Sequence, residues 1–542
     1  MNKKNLLILA VAACLGSSAF AGQGVLFYKA GFPQVAKPLL INELQTEPQS
    51  KAQTSFYLGN IYFGENKPDS AELYFKSGLA ADPTYANNAI GMVMLNMKKD
   101  IKTSEAEIKK ILKVKKNKKD LEVYLNIGYA YLYNGMDEKA KVYQKKAKDL
   151  KAKNPAGVYV LMGDILAKDN LGDACINYEQ AIMFDENNKE AYIKYARAYR
   201  VVNSKLAIEK LLVLKQKDPS FTLVDRELGD VYYISNDFEK AAKYYETYLQ
   251  SGNSDIQDLT KYSMTLFLNH DFQKSLEVAN IGLQKAPKSP AFNRLAMYNN
   301  VDLKQNAEAL KAADLFFNKS ENPEFTYLDY RYYGQALRDA KQVALATEQY
   351  KKALTYDATK VELWKDISDM YNENNDYASS INAYNNYLNS LADNKKTADV
   401  IIALGKLYYS LGNDSTAAPE VKKSSLLKAD SIFTQIAAME PANYRGDFWR
   451  ARTNSALDPE TTLGLAKPYY EKTAALIESK EDAARYNSVL TECYSYLGYY
   501  TLLQKDNAKS IEYWNKILKI NPNNATAKKA IEGIANPKKG KK

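Results

Sequence analysis

The sequence predicts an all-helical protein in which helix pairs follow one another and stack into a solenoid. Three observations lead to this prediction. Small and aromatic residues recur with a period of about 34 residues along the 542-residue chain. Glycine and proline number only 24 and 16, which is compatible with many uninterrupted helices. The chain also exceeds the roughly 250–300 residues at which one compact core stops growing, a limit that stacked repeats avoid.

The recurring residues keep fixed intervals. After Gly59, the small, aromatic and proline positions follow at intervals of 3, 9, 4, 3 and 5, namely Tyr62, Ala71, Phe75, Gly78 and Pro83. The first four intervals return after Gly128, Gly229, Gly334 and Gly498. A small residue lets two helices approach closely, an aromatic ring fills the space between repeats, and proline ends a helix because it lacks an N–H group.

This pattern resembles the tetratricopeptide repeat, whose Leu-Gly-x2-Tyr, Ala-x3-Phe and closing proline positions it reproduces over nearly all of the chain. The resemblance implies an all-α solenoid, a right-handed superhelix of helix-turn-helix units. We predict about 13 repeats and a capping helix, with repeats that start near residues 52, 86, 121, 156, 189, 222, 256, 289, 327, 361, 398, 446 and 491.

The repeat register divides the chain into segments. We predict, in order, a signal peptide (1–21), an N-terminal half repeat (22–51), repeats one to six (52–254), repeats seven to thirteen with a loop insertion near 412–425 (255–524), and a capping helix with a basic tail (525–542). One repeat cannot bury its own apolar face, so each depends on its stacked neighbours.

The first residues are typical of an export signal. A basic start with Lys3 and Lys4 precedes an apolar run, and Ala19–Ala21 forms a small-x-small cleavage site before Gly22. The apolar run is shorter than the roughly 20 residues of a membrane span. We therefore expect a mature protein that begins at Gly22 and lies in the periplasm or at the outer membrane.

An alternative signal overlaps the first. The stretch Val11–Cys14 resembles a bacterial lipobox, which would leave Cys14 as a lipid anchor and make the protein a lipoprotein. Neither alternative provides a membrane span.

The composition argues against an enzyme. The only histidine, His270, falls in a predicted turn, and the two cysteines after the signal, Cys175 and Cys493, fall at helix-packing positions about ten repeats apart. Catalysis at neutral pH usually needs a tunable base, and a zinc site needs a cluster of His and Cys. No Walker or dinucleotide-binding glycine motif is present. We predict a protein without catalytic activity, cofactor or metal.

The resemblance implies that partners bind in a groove lined by the first helix of each repeat. Carried over unit by unit, the groove positions that are aromatic, polar or cationic include Phe56, Asn60, Phe63, Tyr129, Tyr133, Arg226, Tyr233, Arg331, Arg338 and Lys365. Aromatic and arginine side chains are frequent anchors of protein interfaces. The alternative for each of these residues is that it packs between helices.

Positive charge is concentrated in repeats two and three. Residues 98–153 contain 17 lysines and 8 acidic residues, a net charge of +9 in a chain whose total is +10. Lys109, Lys110, Lys115 and Lys116 form its densest part. This pattern favours an anionic partner, either an acidic protein, a phosphorylated glycolipid or an acidic glycan, and the alternative is a solubilising helix face. Nucleic acid is disfavoured because the chain carries an export signal.

Together, these features predict a scaffold or adaptor of the bacterial cell envelope that binds other proteins. The alternative is a protein that binds cell-wall glycan or anionic glycolipid through its lysines.

Overall fold

A computed structural model describes residues 22–252 and 254–536. The secondary structure of these two ranges is entirely helical and comprises 29 α-helices and four short 3-10 helices. The predicted signal peptide, Cys14 of the alternative lipobox and the predicted basic tail beyond Asn536 lie outside the described residues.

Helices alternate as first and second members of pairs. The described residues begin with α1 (Gln23–Lys29) and α2 (Pro33–Thr46) and end with α29 (Ala525–Ala535). The first helices of the thirteen following pairs are α3 (Lys51–Gly64), α5 (Ala86–Asn96), α7 (Leu121–Tyr133), α9 (Ala156–Leu166), α11 (Lys189–Tyr199), α13 (Leu223–Ile234), α15 (Ile256–Leu268), α17 (Pro290–Asp302), α19 (Tyr327–Asp339), α21 (Glu362–Glu373), α23 (Ala398–Gly412), α25 (Arg445–Leu457) and α27 (Asn487–Leu503). The second helices are α4 (Pro68–Ala81), α6 (Ile101–Lys113), α8 (Asp137–Asp149), α10 (Leu171–Phe184), α12 (Ser204–Lys217), α14 (Phe238–Leu249), α16 (Phe272–Lys285), α18 (Asn306–Lys319), α20 (Val343–Tyr356), α22 (Tyr377–Ser390), α24 (Pro419–Met439), α26 (Lys467–Glu478) and α28 (Asn507–Ile520).

The predicted all-helical repeat fold, with thirteen helix pairs and a capping helix, is confirmed. Twelve of the thirteen first helices begin within one residue of the predicted start, and α27 begins four residues before it. The agreement follows from packing, because the consensus residues lie where helices touch. A Cβ atom on Gly59 would lie 2.3 Å from the Phe75 ring, so the close approach of α3 and α4 requires glycine.

In α15 and α16, serine replaces the small residues of the consensus without opening a gap. Ser263 in α15 and Ser275 in α16 are both fully buried. The Ser263 hydroxyl donates to the Ser275 carbonyl at 2.9 Å, and the Ser275 hydroxyl donates to the Ser263 carbonyl at 2.7 Å. Each buried hydroxyl therefore finds an acceptor across the helix pair, which removes the cost of burying it.

Two predictions need correction. The N-terminal half repeat is a complete hairpin, since the seven-residue α1 packs against α2 before the first predicted repeat. The loop insertion predicted near 412–425 is mostly helix, because α24 already begins at Pro419. Proline fits the first turn of a helix, where its missing N–H would have no intrahelical partner. Only residues 413–418 connect α23 to α24 outside a helix.

The chain forms two compact units that divide between Pro323 and Glu324. The first unit contains α1 to α18 and the second contains α19 to α29. Within the described ranges, none of the helices combines the length and the apolar character needed to cross a bilayer.

Candidate partner-binding surfaces

The groove of the first unit is occupied by the chain's own N-terminal turn, Ala30–Phe32, which joins α1 to α2. Arg197 of α11 donates from Nη1 to the carbonyl oxygen of Ala30 at 2.6 Å, across 167 positions of sequence. The Phe32 ring is 7% exposed, and its centroid lies 4.0 Å from the Arg197 guanidinium carbon and 4.5 Å from that of Arg226. Cation–π contacts of this kind stabilise the turn against α11 and α13.

A second contact with the groove comes from Tyr28 of α1. Its ring centroid lies 5.2 Å from that of Tyr57, and its hydroxyl lies 3.2 Å from the hydroxyl of Tyr133. Burial raises the pKa of Tyr28 well above its usual value, and the neighbouring Tyr133 raises it further. Tyr129 stacks on Tyr133 with ring centroids 5.7 Å apart. The predicted groove residues Tyr129 and Tyr133 therefore do meet, but around a tyrosine of the same chain.

Below these rings, Asp164 of α9 accepts hydrogen bonds from three helices. The hydroxyls of Tyr129 and Tyr178 each donate to it at 2.8 Å. The Lys194 ammonium donates to it at 2.5 Å and to Glu190 at 2.6 Å. Burial alone would lower the pKa of Lys194, but the two carboxylates outweigh it and raise the pKa above its usual value.

The groove arginines are neutralised by acidic residues of the same and the next repeat. Arg226 is 8% exposed, and its Nε donates to Asp258 at 2.6 Å. Arg197 donates from Nε and Nη2 to Glu227 at 3.1 and 2.9 Å. Paired buried charges of this kind are costly to separate, because removing one partner leaves the other unpaired in a desolvated site.

Asp230 links repeats six and seven in the same network. Lys261 of α15 donates to both of its oxygens at 2.7 and 2.8 Å, and the Tyr245 hydroxyl donates at 2.5 Å. Burial would raise the pKa of Asp230, but Lys261 and Arg226 outweigh burial and lower it below the usual value.

The remaining predicted residues of the first-unit groove differ in accessibility. Phe56 is 4% exposed and Asn60 is 8% exposed, and the Phe56 ring packs 6.2 Å from that of Phe75. Phe63 and Tyr233 are half-buried at the ends of their helices. A partner therefore reaches Phe56 and Asn60 only if the first unit rearranges.

The sequence reasoning missed the residues that fill this groove. Arg197 had a usable signal, since it occupies in the fifth repeat the groove position that Asn60 occupies in the first. No sequence signal pointed to Tyr28 or Phe32, because neither α1 nor the turn after it contains a consensus residue. Their contacts with the groove are also made over a long separation in sequence.

The second unit keeps two of its predicted groove cations exposed. Arg331 of α19 and Lys365 of α21 are exposed, and neither forms an ion pair within the described ranges. Arg338 is half-buried, and its Nη2 donates to Glu373 at 3.1 Å. Burial raises the pKa of Asp366, which Arg338 approaches to 3.9 Å. This surface has charges of both signs and is only partly neutralised.

The predicted basic segment forms a continuous exposed surface at the end of α6 and in the residues that follow it. We call it the lysine surface and define it by seven exposed lysines, Lys109, Lys110, Lys113, Lys115, Lys116, Lys118 and Lys119. Among these seven lysines of the described chain, only Lys110 is ion-paired, with Glu107 at 2.5 Å.

The backbone of the lysine surface is fixed by buried residues. Ile108 of α6 is fully buried, which turns the neighbouring Lys109 and Lys110 toward solvent. Asn117 is 6% exposed, and its side-chain amide donates to the carbonyl oxygen of Ile111 at 3.0 Å. This bond holds the chain against the end of α6. The four lysines that the sequence singled out, together with three others, therefore lie on ordered backbone.

The histidine and the two cysteines considered in the sequence analysis lie in a turn and at two buried helix positions. His270 is exposed in the left-handed turn between α15 and α16, at φ 60°, where Asn66 and Asn236 occupy the corresponding turns. Cys175 and Cys493 are buried free thiols, and burial raises the pKa of Cys175 to about 11. No group of three His, Cys, Asp or Glu residues within the described ranges is placed to hold a metal ion.

Comparison with known proteins supports the repeat type. A family model described as Tetratricopeptide repeat matches residues 121–154, which span α7 and α8. No curated protein matches the chain. Similar solved structures include the C-terminal part of a TPR repeat-containing protein from Cytophaga hutchinsonii, with 28% identity, 50% of this chain and 99% of that chain covered, and a TM-score of 0.40. A tetratricopeptide repeat protein from Parabacteroides merdae has 16% identity, 46% and 98% coverage, and a TM-score of 0.33.

Proposed function

We propose that this tetratricopeptide-repeat protein is a non-enzymatic scaffold that binds other proteins, and that an acidic partner docks on its lysine surface. One observation carries the proposal. Seven exposed lysines lie within eleven consecutive residues, and six of them have no ion-pair partner in the described part of the chain. Their mutual repulsion is relieved when a partner brings negative charge.

The chemistry of the surface favours a broad acidic face over a single bound group. Lysine presents a compact, strongly hydrated charge on a flexible stem and lacks the fork with which arginine clamps one carboxylate or phosphate. Several such charges on ordered backbone speed up association with an oppositely charged protein and hold it through many weak contacts. Cell-wall glycan and anionic glycolipid remain the alternative partners of the same surface.

The second-unit groove offers a separate contact for the same kind of partner. Arg331 and Lys365 are exposed there on the first helices of two successive repeats. Because the first-unit groove holds its own N-terminal turn, we propose that the second-unit groove and the lysine surface are the sites open to a partner in the resting protein. The export signal supports a location in the periplasm or at the outer membrane.

Charge reversal tests the proposal. Full-length mature protein with Lys109, Lys110, Lys115 and Lys116 changed to Glu is compared with wild type for binding of a labelled ten-residue poly-glutamate peptide. The matched control changes to Glu four lysines that are also exposed and form no ion pair within the described ranges, namely Lys51, Lys205, Lys285 and Lys351. We expect binding by wild type and by the control, and at least tenfold weaker binding by the test variant.

Salt and alternative ligands complete the experiment. Peptide binding by wild type should weaken steeply as the salt concentration is raised from about 0.05 M to about 0.5 M. Exposed charges are screened over about 8 Å at physiological ionic strength. Crosslinking in envelope extract then identifies the partner by its loss from the test variant alone. Equal binding by the two Glu variants would refute the proposal. The glycan alternative would be established by two results together. Wild type should co-sediment with purified peptidoglycan and the test variant should not, while the poly-glutamate peptide binds weakly to all three proteins.

A further inference from the structure

Glu43 of α2 is a buried carboxylate without a cationic partner in the described residues. It is 3% exposed, and its Oε1 accepts a hydrogen bond from the backbone N–H of Gly24 at 2.8 Å. The backbone of Gly22 also hydrogen bonds to it. No Lys, Arg or His of the described ranges forms an ion pair with it. Burial raises the pKa of Glu43 above its usual value, and the nearby Glu47 acts in the same direction.

An unpaired buried carboxylate needs an explanation, since charge is seldom buried without a partner. The two backbone groups that face Glu43 belong to the first residues after the predicted signal cleavage site. The approach is close and fixed. A Cβ atom on Gly24 would lie 2.7 Å from Cγ of Leu40, so the first turn of α1 packs closely against α2.

We propose that Glu43 is the receptor for the α-ammonium group of a mature chain that begins at Gly22. An export endoprotease would add water across the Ala21–Gly22 peptide bond. Ala21 would leave with the new carboxyl group, and the new amine on Gly22 would take up a proton at neutral pH. The neutral N–H that faces Glu43 before cleavage would become a cation in the same place, and the buried carboxylate would gain its ion pair.

The proposal selects one processing site. A chain cleaved before Cys14 keeps a neutral peptide N–H at Gly22 and leaves Glu43 without a counter-charge. A chain that begins one residue later loses the Gly22 contact. The ion pair would also fasten α1, and with it the turn that occupies the first-unit groove. The inference rests on the proposed export of the chain and does not depend on the lysine surface.

Four full-length mature proteins test it. Two begin at Gly22 and two retain Ala21, and within each pair one has Glu43 and the other Glu43→Gln. We expect the retained residue to lower the unfolding midpoint of the Glu43 protein by about 2–4 °C, as for a loss near 1 kcal/mol in a unit of this size. In the Glu43→Gln pair the two unfolding midpoints should agree within about 1 °C, because glutamine carries no charge that could form an ion pair with the ammonium group.

A second readout does not depend on stability. The pH dependence of N-terminal acetylation reports the pKa of the Gly22 amine, which an ion pair with Glu43 should raise above the usual range of about 7.7–8.0. In Glu43→Gln it should return to that range. An ordinary amine pKa in the Glu43 protein would overturn the proposal, as would equal effects of Ala21 in both backgrounds. Mass analysis of native protein must also show a start at Gly22. The charge-reversed lysine variant should behave as wild type here, so the two proposals can fail separately.

Discussion

Replacing Phe32 with alanine should release the N-terminal turn from α11 and α13. Phe32 is 7% exposed and contacts the Arg197 and Arg226 guanidinium groups. Alanine removes the ring from both cations and leaves a cavity beside them. The ion pairs of Arg197 and Arg226 with Glu227 and Asp258 do not involve the ring and should persist.

The expected loss has two parts. Truncation of a buried phenylalanine costs about 3–5 kcal/mol through lost burial and the cavity that remains. Each cation–π contact contributes about 0.5–1 kcal/mol at a partly exposed site. Phe32→Leu keeps apolar volume beside Phe27 but removes the ring, so it isolates the second part. Adding the two parts, we expect a loss of about 4–7 kcal/mol for Phe32→Ala and about 1–2 kcal/mol for Phe32→Leu, both in the first unit.

Urea unfolding followed by hydrogen exchange locates the effect. Amides of α1 and of the turn should exchange faster in Phe32→Ala, while those of α21 and α23 in the second unit should be unchanged. The reasoning fails if Phe32→Ala costs less than about 1 kcal/mol, which would mean that little native burial is lost. It also fails if alanine and leucine cost the same, since the size of the cavity would then have no effect.

Three further predictions concern single sites. Gly59→Ala should lower the unfolding midpoint of the first unit in calorimetry, because its Cβ would meet the Phe75 ring at 2.3 Å, whereas Gly64→Ala, with nothing within 4 Å, should not. The Cys175 thiol, with its pKa raised to about 11, should react with a disulfide reagent at pH 8 only after unfolding. The lowered pKa of Asp230 stabilises the fold above the unfolded value of about 3.9. That contribution should be lost as pH falls through the folded pKa, and Asp230→Asn should lose this part of the acid dependence in urea titrations.

The repeat fold could be predicted because its consensus residues are the contacts themselves. Gly59 and Phe75 touch directly, and so do Gly229 and Tyr245, whose ring a Cβ on Gly229 would meet at 2.7 Å. A period of small and aromatic residues is therefore a direct record of helix packing. The lysine surface was also visible in the sequence, since exposure follows from charge density on a helix whose apolar residues point elsewhere.

The groove contents could not be predicted in the same way. The turn at Ala30–Phe32 has no repeat consensus, and its contact with Arg197 depends on how the intervening repeats stack, which no local pattern encodes. The loop predicted near 412–425 failed for a local reason. Proline is frequent in loops but also begins helices, and Pro419 within that segment begins α24.

The bond between Ala30 and Arg197 changes how the first unit should unfold. Arrays of repeats with only neighbouring contacts behave as one-dimensional chains, in which the ends fray and intermediates lack one repeat after another. Here the first hairpin is tied to the fifth repeat, so fraying of the N-terminal end also breaks a contact that closes a loop of 167 residues. Repeats one to five should therefore unfold together, with a steeper denaturant dependence than any pair of them would have alone. A repeat protein closed in this way gains cooperativity from long-range contacts that its repeat sequence does not specify.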